Sequence, residues 1–181
     1  MNTPKLRQTI AAAAAVAILP MTAFAFDYNN VEGGFVHLHN DSGSDNGFRI
    51  GGSFAIAPPV AVFGEYDHGG DVDRISAGGL FHTPIHSNLD LNLGASLEHG
   101  SLPHDHDTGF GLRAGLRWNA VPGELELDPE LRYVSLFNRD DVSARLGGLY
   151  HINRNLDLQA ALQAGDEDRA EVGLRYNFGS R

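Results

Sequence analysis

An alternation of apolar and polar residues runs through almost the whole chain after residue 26 and constrains its fold more than any other feature. The clearest stretch is LDLNLGASLE (89–98), in which every second residue from Leu89 to Leu97 is apolar. Helical periodicity is almost absent over the same region. Because successive side chains of a strand point to opposite faces, a period of two indicates strands with one apolar and one polar face. The sequence therefore predicts an all-β fold.

The alternating pattern divides into ten predicted strands. They cover 28–38, 48–56, 60–67, 73–82, 88–98, 109–118, 124–136, 141–150, 155–164 and 169–178. Most have about the 9–11 residues that a tilted membrane-spanning strand requires. An up-and-down antiparallel barrel is the fold that closes such a set of strands. A barrel of eight strands with longer loops is the structural alternative.

The segments between the predicted strands alternate in kind. Polar, acidic segments lie at 40–47, 68–73, 99–108, 138–141 and 165–168, and tight turns lie at 57–59, 83–87, 119–123 and 152–155. One end of the barrel is therefore predicted to carry longer acidic loops and the other end short turns, as in outer-membrane barrels. Pro129 interrupts strand 124–136, so we expect a bulge there or a strand that starts near Glu130.

The first 25 residues are predicted to be a cleaved secretory signal. Lys5 and Arg7 precede an apolar run at 9–19, and Ala23-Phe24-Ala25 has the small-residue pattern of a cleavage site after Ala25. Residues 26–181 would then form one barrel domain. They keep 11 arginines (13 − 2) against 23 acidic residues, a formal charge of 11 − 23 = −12. Such a charge argues against a nucleic-acid partner, and the absence of cysteine excludes disulfides and thiolate metal sites.

Two features indicate that the apolar face meets lipid. The polar face is rich in glycine and arginine, which suits a narrow barrel interior better than a water-exposed sheet, because glycine weakens a strand and leaves nothing to pack. In addition, each strand that runs toward a tight turn ends near an aromatic residue, as in the aromatic girdle of a membrane barrel. This predicted girdle consists of Phe54, Phe81, Trp118, Tyr150 and Phe178.

A layer of charges is predicted inside the barrel. Arg49, Arg113 and Arg145 each precede a girdle aromatic by five residues, an odd offset that turns them inward. The neighbouring strands offer inward carboxylates at Glu32, Glu65 and Glu130. We expect each arginine to pair with a carboxylate on an adjacent strand, because an unpaired charge in a narrow lumen is costly. The lumen would then be largely plugged.

The final strand resembles the C-terminal signal that the barrel-assembly machinery of Gram-negative bacteria reads. Its features are Glu171, Gly173 and two aromatics at a spacing of two, Tyr176 and Phe178, followed here by a three-residue tail. The whole mature chain resembles the small outer-membrane barrels of the OmpA and OmpX type. Together these resemblances imply a cell-outer-membrane protein in contact with lipid and lipopolysaccharide, inserted by that machinery, and we expect a monomer.

Two further segments carry a narrower resemblance. YNNVEGGFV (28–36) and GGSFAIAPPVAVFGEYDH (51–68) are similar to the start of a small-barrel family labelled sulfation-dependent quorum factor. That label implies a signalling role, whereas the residues themselves indicate a barrel.

No catalytic or cofactor site is predicted. The chain has no Gly-x-Ser-x-Gly and no His-Glu-x-x-His sequence, and a lipid-deacylating His-x-Ser pair with a carboxylate is not expected. His104 and His106 are the only metal candidates, and a solvated loop is the favoured interpretation of both. We therefore predict a non-enzymatic barrel with acidic extracellular loops that acts in envelope structure or surface interaction. A narrow pore for small solutes is the alternative, and a lipid-modifying enzyme is the less favoured one.

Overall fold

Ten antiparallel strands account for almost all of the structure. The computed structural model describes residues 26–40 and 43–179. Its strands are β1 (Asn30–Asn40), β2 (Gly43–Ala57), β3 (Val60–Gly69), β4 (Val72–His86), β5 (Leu89–Leu102), β6 (Asp105–Val121), β7 (Leu125–Leu136), β8 (Arg139–His151), β9 (Leu156–Gly165) and β10 (Asp168–Asn177). The predicted signal segment 1–25 and its cleavage site lie outside the described residues.

The strands form a closed up-and-down barrel. Each strand pairs with its neighbours in the chain, and β1 pairs with β10 from Asn30↔Asn177 to His39↔Asp168. This closure satisfies the backbone hydrogen bonds that an open sheet would leave free at its edges. The prediction of a ten-stranded, all-β barrel is confirmed, and the eight-stranded alternative is wrong.

No helix within the described residues is long and apolar enough to cross a membrane.

The barrel is apolar outside and polar inside. Among the described residues, 17 buried side chains are polar or charged and only seven are hydrophobic. Large apolar side chains instead point outward, as with Phe35 (77 % exposed), Leu97 (69 %) and Leu162 (66 %). A soluble barrel would bury such residues, since their transfer from water is the main driving force of folding. The distribution suits a barrel surrounded by lipid.

The two ends of the barrel differ less in loop length than predicted. The strands continue into the polar segments, and the connections that the structure describes at this end are 70–71, 103–104, 137–138 and 166–167. At the other end they are 58–59, 87–88, 122–124 and 152–155. The predicted contrast between longer loops and short turns is therefore wrong. The polar residues were read as loops because a hairpin that projects into water is as polar as a loop.

Pro129 is accommodated without the predicted bulge or late strand start. It lies on the outward face of β7, opposite Leu146, and the register with β6 is the same on both sides of it. Around Pro129, only the pairs of Leu116 and Arg117 with β7 are absent from the ladder. The missing N–H is thus tolerated by a short gap in pairing rather than by an inserted residue.

Candidate functional site

The candidate site is the charged interior of the barrel. Its centre is Arg49 on β2, whose Nη1 lies 2.5 Å from Glu32 Oε1 and whose Nη2 lies 3.0 Å from Glu65 Oε1. The register places Glu32, Gly51 and Glu65 side by side on β1, β2 and β3. Arg49 Nη2 passes 3.5 Å from the position that a Cβ would occupy at Gly51, which is an ordinary van der Waals distance. Arg49 therefore bridges carboxylates on both adjacent strands.

Glu65 also forms ion pairs with two arginines from across the lumen. Arg113 Nη1 on β6 lies 2.8 Å from Glu65 Oε1, and Arg132 Nη1 on β7 lies 3.5 Å from Oε2. Arg132 also pairs with Glu130 on its own strand. The Arg113 guanidinium stacks over the Phe63 ring at 3.9 Å, which adds a cation–π contact. Because β3 and β6 are three strands apart, these pairs cross the interior rather than follow the wall.

Arg145 does not pair with the carboxylate opposite it. Glu130 is its direct neighbour in the β7–β8 register, yet Arg145 Nη2 lies 2.9 Å from Glu171 Oε2 on β10. Glu130 is occupied by Arg132, and Glu171 also pairs with Arg169. The expectation that every arginine bridges to an adjacent strand therefore holds for Arg49 but differs from the structure for Arg113 and Arg145.

The structure adds residues that the sequence reasoning missed. Arg132 joins the layer from a strand expected to supply only glutamate, and Arg175 Nη2 pairs with Glu32 Oε2 at 2.7 Å. Their inward positions follow from the same alternation that identified Arg49. Alternation does not predict which charges form ion pairs. It determines whether a side chain points inward or outward, but not its distance from side chains across the lumen.

A second element, the segment Phe26–Asn29, precedes β1 and closes one mouth of the barrel. This mouth lies at the end of the tight turns, which is predicted to face the periplasm, and it is called the periplasmic mouth; the opposite one is called the extracellular mouth. Tyr28 is 5 % exposed and stacks on the His82 ring with centroids 3.8 Å apart. Its hydroxyl donates to Asn92 Oδ1 at 2.8 Å and lies 3.1 Å from Asp90 Oδ2. Burial raises the pKa of the Tyr28 phenol well above its usual range, so the hydroxyl stays a neutral donor.

The backbone of this N-terminal segment is tied to several strand ends. Asp27 Oδ2 accepts from the Gly179 N–H at 2.9 Å, and the Asp27 carbonyl accepts from Arg117 Nη1 at 2.8 Å. The Asn29 carbonyl accepts from the Phe178 N–H at 2.8 Å. Sequence reasoning placed Tyr28 and Asn29 in the first strand (28–38), and only the unusual composition of Phe26–Asn29, two aromatics beside Asp and Asn, could have marked the segment.

Arg117 connects the N-terminal segment to the wall. Its Nε lies 2.5 Å from Glu126 Oε1, and its guanidinium lies 5.0 Å from the Phe26 ring centre and 4.7 Å from the Tyr28 ring centre. Phe26, Tyr28 and Ala61 form the only cluster of buried hydrophobic residues among those described. The apolar core of this barrel thus sits at its periplasmic mouth.

The predicted assembly-signal residues divide between the two faces of β10. Glu171 and Gly173 point inward, whereas Tyr176 (46 % exposed) and Phe178 (64 %) point outward in an edge-to-face contact at 5.3 Å. Gly173 lies opposite Gly34 at the closing seam, where a Cβ would come within 2.3 Å of the Gly33 carbonyl oxygen. The glycine therefore has a structural reason in the close approach of β1 and β10.

All five predicted girdle aromatics point outward at the periplasmic end, Phe81 half-buried and the others exposed. A second group of aromatics lies near the other end. Phe48 contacts Tyr66 at 5.7 Å, and Phe110 contacts Tyr133 at 5.8 Å, in both cases between neighbouring strands on the outer face. This second belt escaped the sequence reasoning, although the same search for aromatics at one strand end would have found it.

The histidine candidates are not assembled into a site. His104 is exposed in the turn 103–104, and His106 is exposed on β6. Within residues 26–40 and 43–179, no group of three or more His, Cys, Asp or Glu side chains is placed to hold a metal ion.

The outer end of β5 carries a sequence that the motif reasoning missed. His99-Gly100-Ser101 is a His-x-Ser pair, contrary to the expectation that none would be found. His99 Nδ1 contacts Thr108 Oγ1 at 3.0 Å, and among the described residues Ser101 makes no hydrogen bond to His99. The pair therefore lacks the contact between nucleophile and base that acyl transfer requires.

Comparison with known proteins adds fold neighbours. No protein family profile matches the sequence, and no curated protein is similar to it. The resemblance to the sulfation-dependent quorum factor family is therefore not confirmed. Solved structures with a similar fold include the KdgM porin (15 % identity, 83 % of this chain and 99 % of that chain, TM-score 0.54) and the NanC porin (8 %, 83 % and 100 %, 0.53). A third is the COG4313 outer-membrane channel from Pseudomonas putida F1 (9 %, 90 % and 100 %, 0.50). At these identities the likeness shows the fold.

Proposed function

We propose that this protein is an integral, non-enzymatic outer-membrane barrel whose lumen is closed, and that it serves envelope structure or surface interaction. One observation carries the proposal: the charged layer around Arg49 and Glu65 crosses the interior, while the N-terminal segment Phe26–Asn29 fills the periplasmic mouth. Two independent obstructions in series favour a closed barrel over an open channel.

The membrane location is supported by the outer surface. Exposed apolar side chains cover the wall, and aromatics lie at both ends of the strands. The fold neighbours are outer-membrane porins and channels. The protein should fractionate with the outer membrane and migrate faster on a gel before boiling than after it. Recovery in the soluble periplasmic fraction, without a heat-dependent shift, would contradict the location.

The closed lumen is supported by its size and its pairing. Eight-stranded barrels are filled by side chains, and aqueous channels belong to about 16–18 strands, so ten strands lie near the filled limit. Both oxygens of Glu32 and of Glu65 are engaged by arginines. Opening a path through this layer would separate buried ion pairs, which costs about 3–5 kcal/mol for each partner left alone.

Single-channel recording tests the closed lumen. In planar bilayers the wild type should show little or no conductance. Arg113→Ala removes one of the ion pairs that cross the lumen and should therefore allow a small conductance. Arg139→Ala, an exposed arginine at the outer end of β8, is the matched control and should behave as wild type. Steady, large conductance of the wild type would overturn the closed barrel.

The alternative is a narrow pore for small solutes. It is favoured by the fold neighbours, among them a KdgM porin solved in complex with disordered oligogalacturonate. The same recordings decide between the two: a pore should conduct as wild type and be indifferent to Arg113→Ala.

A lipid-modifying enzyme is the less favoured function, because His99 and Ser101 are not hydrogen-bonded to one another. Mass spectra of lipid A from cells with and without the protein should be identical. An acyl chain lost only in cells that carry Ser101, and kept with Ser101→Ala, would establish the enzyme.

The expected partners follow from the proposed location. They are outer-membrane lipid, lipopolysaccharide and, during insertion, the barrel-assembly machinery. Nothing in the charged lumen or the short turns requires a second copy, so the proposal is a monomer.

A further inference from the structure

A chamber lies between the charged layer and the N-terminal segment. Its volume is about 120 Å³, and Tyr28 lines its periplasmic side while Arg49, Arg113 and Arg132 line its other side. A cavity needs roughly 10–15 Å³ of such volume to hold one water molecule, so the chamber has room for a small solute.

Guanidinium groups outnumber carboxylates on the chamber walls. The lining contains six arginines (Arg49, Arg113, Arg117, Arg132, Arg145 and Arg175) and four acidic residues (Glu32, Glu65, Asp128 and Glu130). Glu126 and Glu171 stand behind the wall and pair with Arg117 and Arg145, so the full set is close to neutral. The charges are therefore balanced, and the relevant imbalance is between the hydrogen-bond donors and the hydrogen-bond acceptors that line the chamber.

Among the described residues that line the chamber, two buried donors but only one buried acceptor lack a hydrogen-bond partner. Each guanidinium has five N–H donors and no acceptor. All four oxygens of Glu32 and Glu65 are already engaged. Arg117 is 6 % exposed and Arg49 is 7 % exposed, yet Arg117 Nη2 and Arg49 Nε have no hydrogen-bond partner among the described residues. A buried donor without a partner is costly, so the chamber is suited to a ligand that brings acceptors.

The opposing group in the chamber is Asp128. Its Oδ1 is also buried without a hydrogen-bond partner within the part of the chain that the structure describes, so it is not hydrogen-bonded to Arg117 Nη2. Water could donate to Asp128 and accept from Arg117, which makes water the competing occupant. An oxyanion differs from water because it supplies only acceptors and carries a charge that pairs strongly with guanidinium.

We propose that this chamber binds one small oxyanion, a carboxylate or inorganic phosphate, with Arg117 and Arg49 as principal donors. The inference rests on the closed barrel proposed above. Its readouts are ligand binding and thermal stability rather than conductance, so each proposal can fail without the other.

The test uses the full mature chain folded in detergent, at constant pH and ionic strength. A bulky sulfonate buffer that exceeds the chamber volume is replaced stepwise by acetate or by phosphate. Both should raise the unfolding midpoint of the wild type, by about 5–10 °C at roughly 100 times the Kd. Equilibrium dialysis with radiolabelled phosphate or acetate should give one site per barrel. A response to acetate alone identifies an organic carboxylate, and a response to phosphate alone identifies the inorganic ion.

Three variants locate the site. Arg117→Gln should weaken binding roughly 10- to 100-fold, as expected for a lost hydrogen bond to a charged group. Leu80→Phe fills part of the chamber without touching a charge, so it should reduce binding even if Arg117→Gln folds poorly. Arg139→Gln, outside the chamber, should bind as wild type. Equal midpoints in all buffers, or wild-type binding by both Arg117→Gln and Leu80→Phe, would overturn the proposal and leave water as the occupant.

Discussion

The two mouths of the barrel are built from the same strands but are held together differently. At the extracellular mouth, many side-chain contacts lie within single hairpins, as with His37 and Asn46, Tyr66 and Asp73, and Tyr133 and Asp140. A contact between distant strands also occurs there, because Arg169 Nη2 donates to Asp67 Oδ1 102 residues away. At the periplasmic mouth, contacts join elements far apart in sequence. Tyr28 meets β5 62 and 64 residues away, and Asp27 meets Gly179 152 residues away.

The difference follows from where β1 begins and where β10 ends. The segment before β1 and the end of β10 lie at the periplasmic mouth, and both are free to fold back on neighbouring strand ends. Extracellular strand ends are instead joined in pairs by turns, so many of the polar groups there bond within their own hairpin. The comparison suggests that closure of the mouth and stability of the barrel are concentrated at the periplasmic end.

The largest expected effect is at the last aromatic. Phe178→Asp should abolish accumulation in the outer membrane, because it removes the terminal residue of the assembly signal. A charge at the lipid interface by itself costs only about 0–1 kcal/mol. Ile152→Asp, at an exposed apolar position in a periplasmic turn, carries the same charge cost without the signal and should accumulate normally. Immunoblots of outer-membrane fractions compare the two, and equal accumulation would show that the signal is misassigned.

An intermediate effect is expected from a matched pair of tyrosines. Tyr28→Phe removes the hydroxyl donor to buried Asp90 and half-buried Asn92, so the free energy of unfolding should fall by about 1–3 kcal/mol. Tyr133→Phe removes the corresponding bond to exposed Asp140 and should change it by less than about 0.5 kcal/mol. Urea unfolding followed by gel mobility measures both. Similar losses for the two variants would break the comparison of the mouths.

The sequence predicted those features of the structure that depend on residues close together along one strand. Alternation gave the ten strands, the inward facing of Arg49 and Glu65, and the outward facing of Trp118 and Phe178. Each of these depends on a local period of two, which sterics impose on any strand.

Contacts across the lumen could not be predicted in the same way. Arg113 reaches Glu65 over 48 residues of sequence, and Arg145 prefers Glu171 to the carboxylate directly opposite. Competition decides these pairs, since Arg132 already occupies Glu130. The N-terminal segment escaped prediction for a related reason, because no periodicity marks a stretch that fills a mouth instead of extending a strand.

The smallest effect is expected at an extracellular turn. Insertion of Gly-Ser-Gly between Pro103 and His104 lengthens a two-residue connection whose side chains are exposed. The entropic cost should be about 1 kcal/mol or less, because it grows only with the logarithm of loop length. The same insertion between Tyr28 and Asn29 separates the ring from the residue whose carbonyl holds Phe178, so it should destabilise the barrel several-fold more. Thermal midpoints by gel mobility provide the measurement. If the extracellular insertion lowers the thermal midpoint more than the periplasmic one, the stability of this barrel is not concentrated at the periplasmic mouth. The extracellular hairpins would then contribute to the stability of the whole barrel and not only to their own.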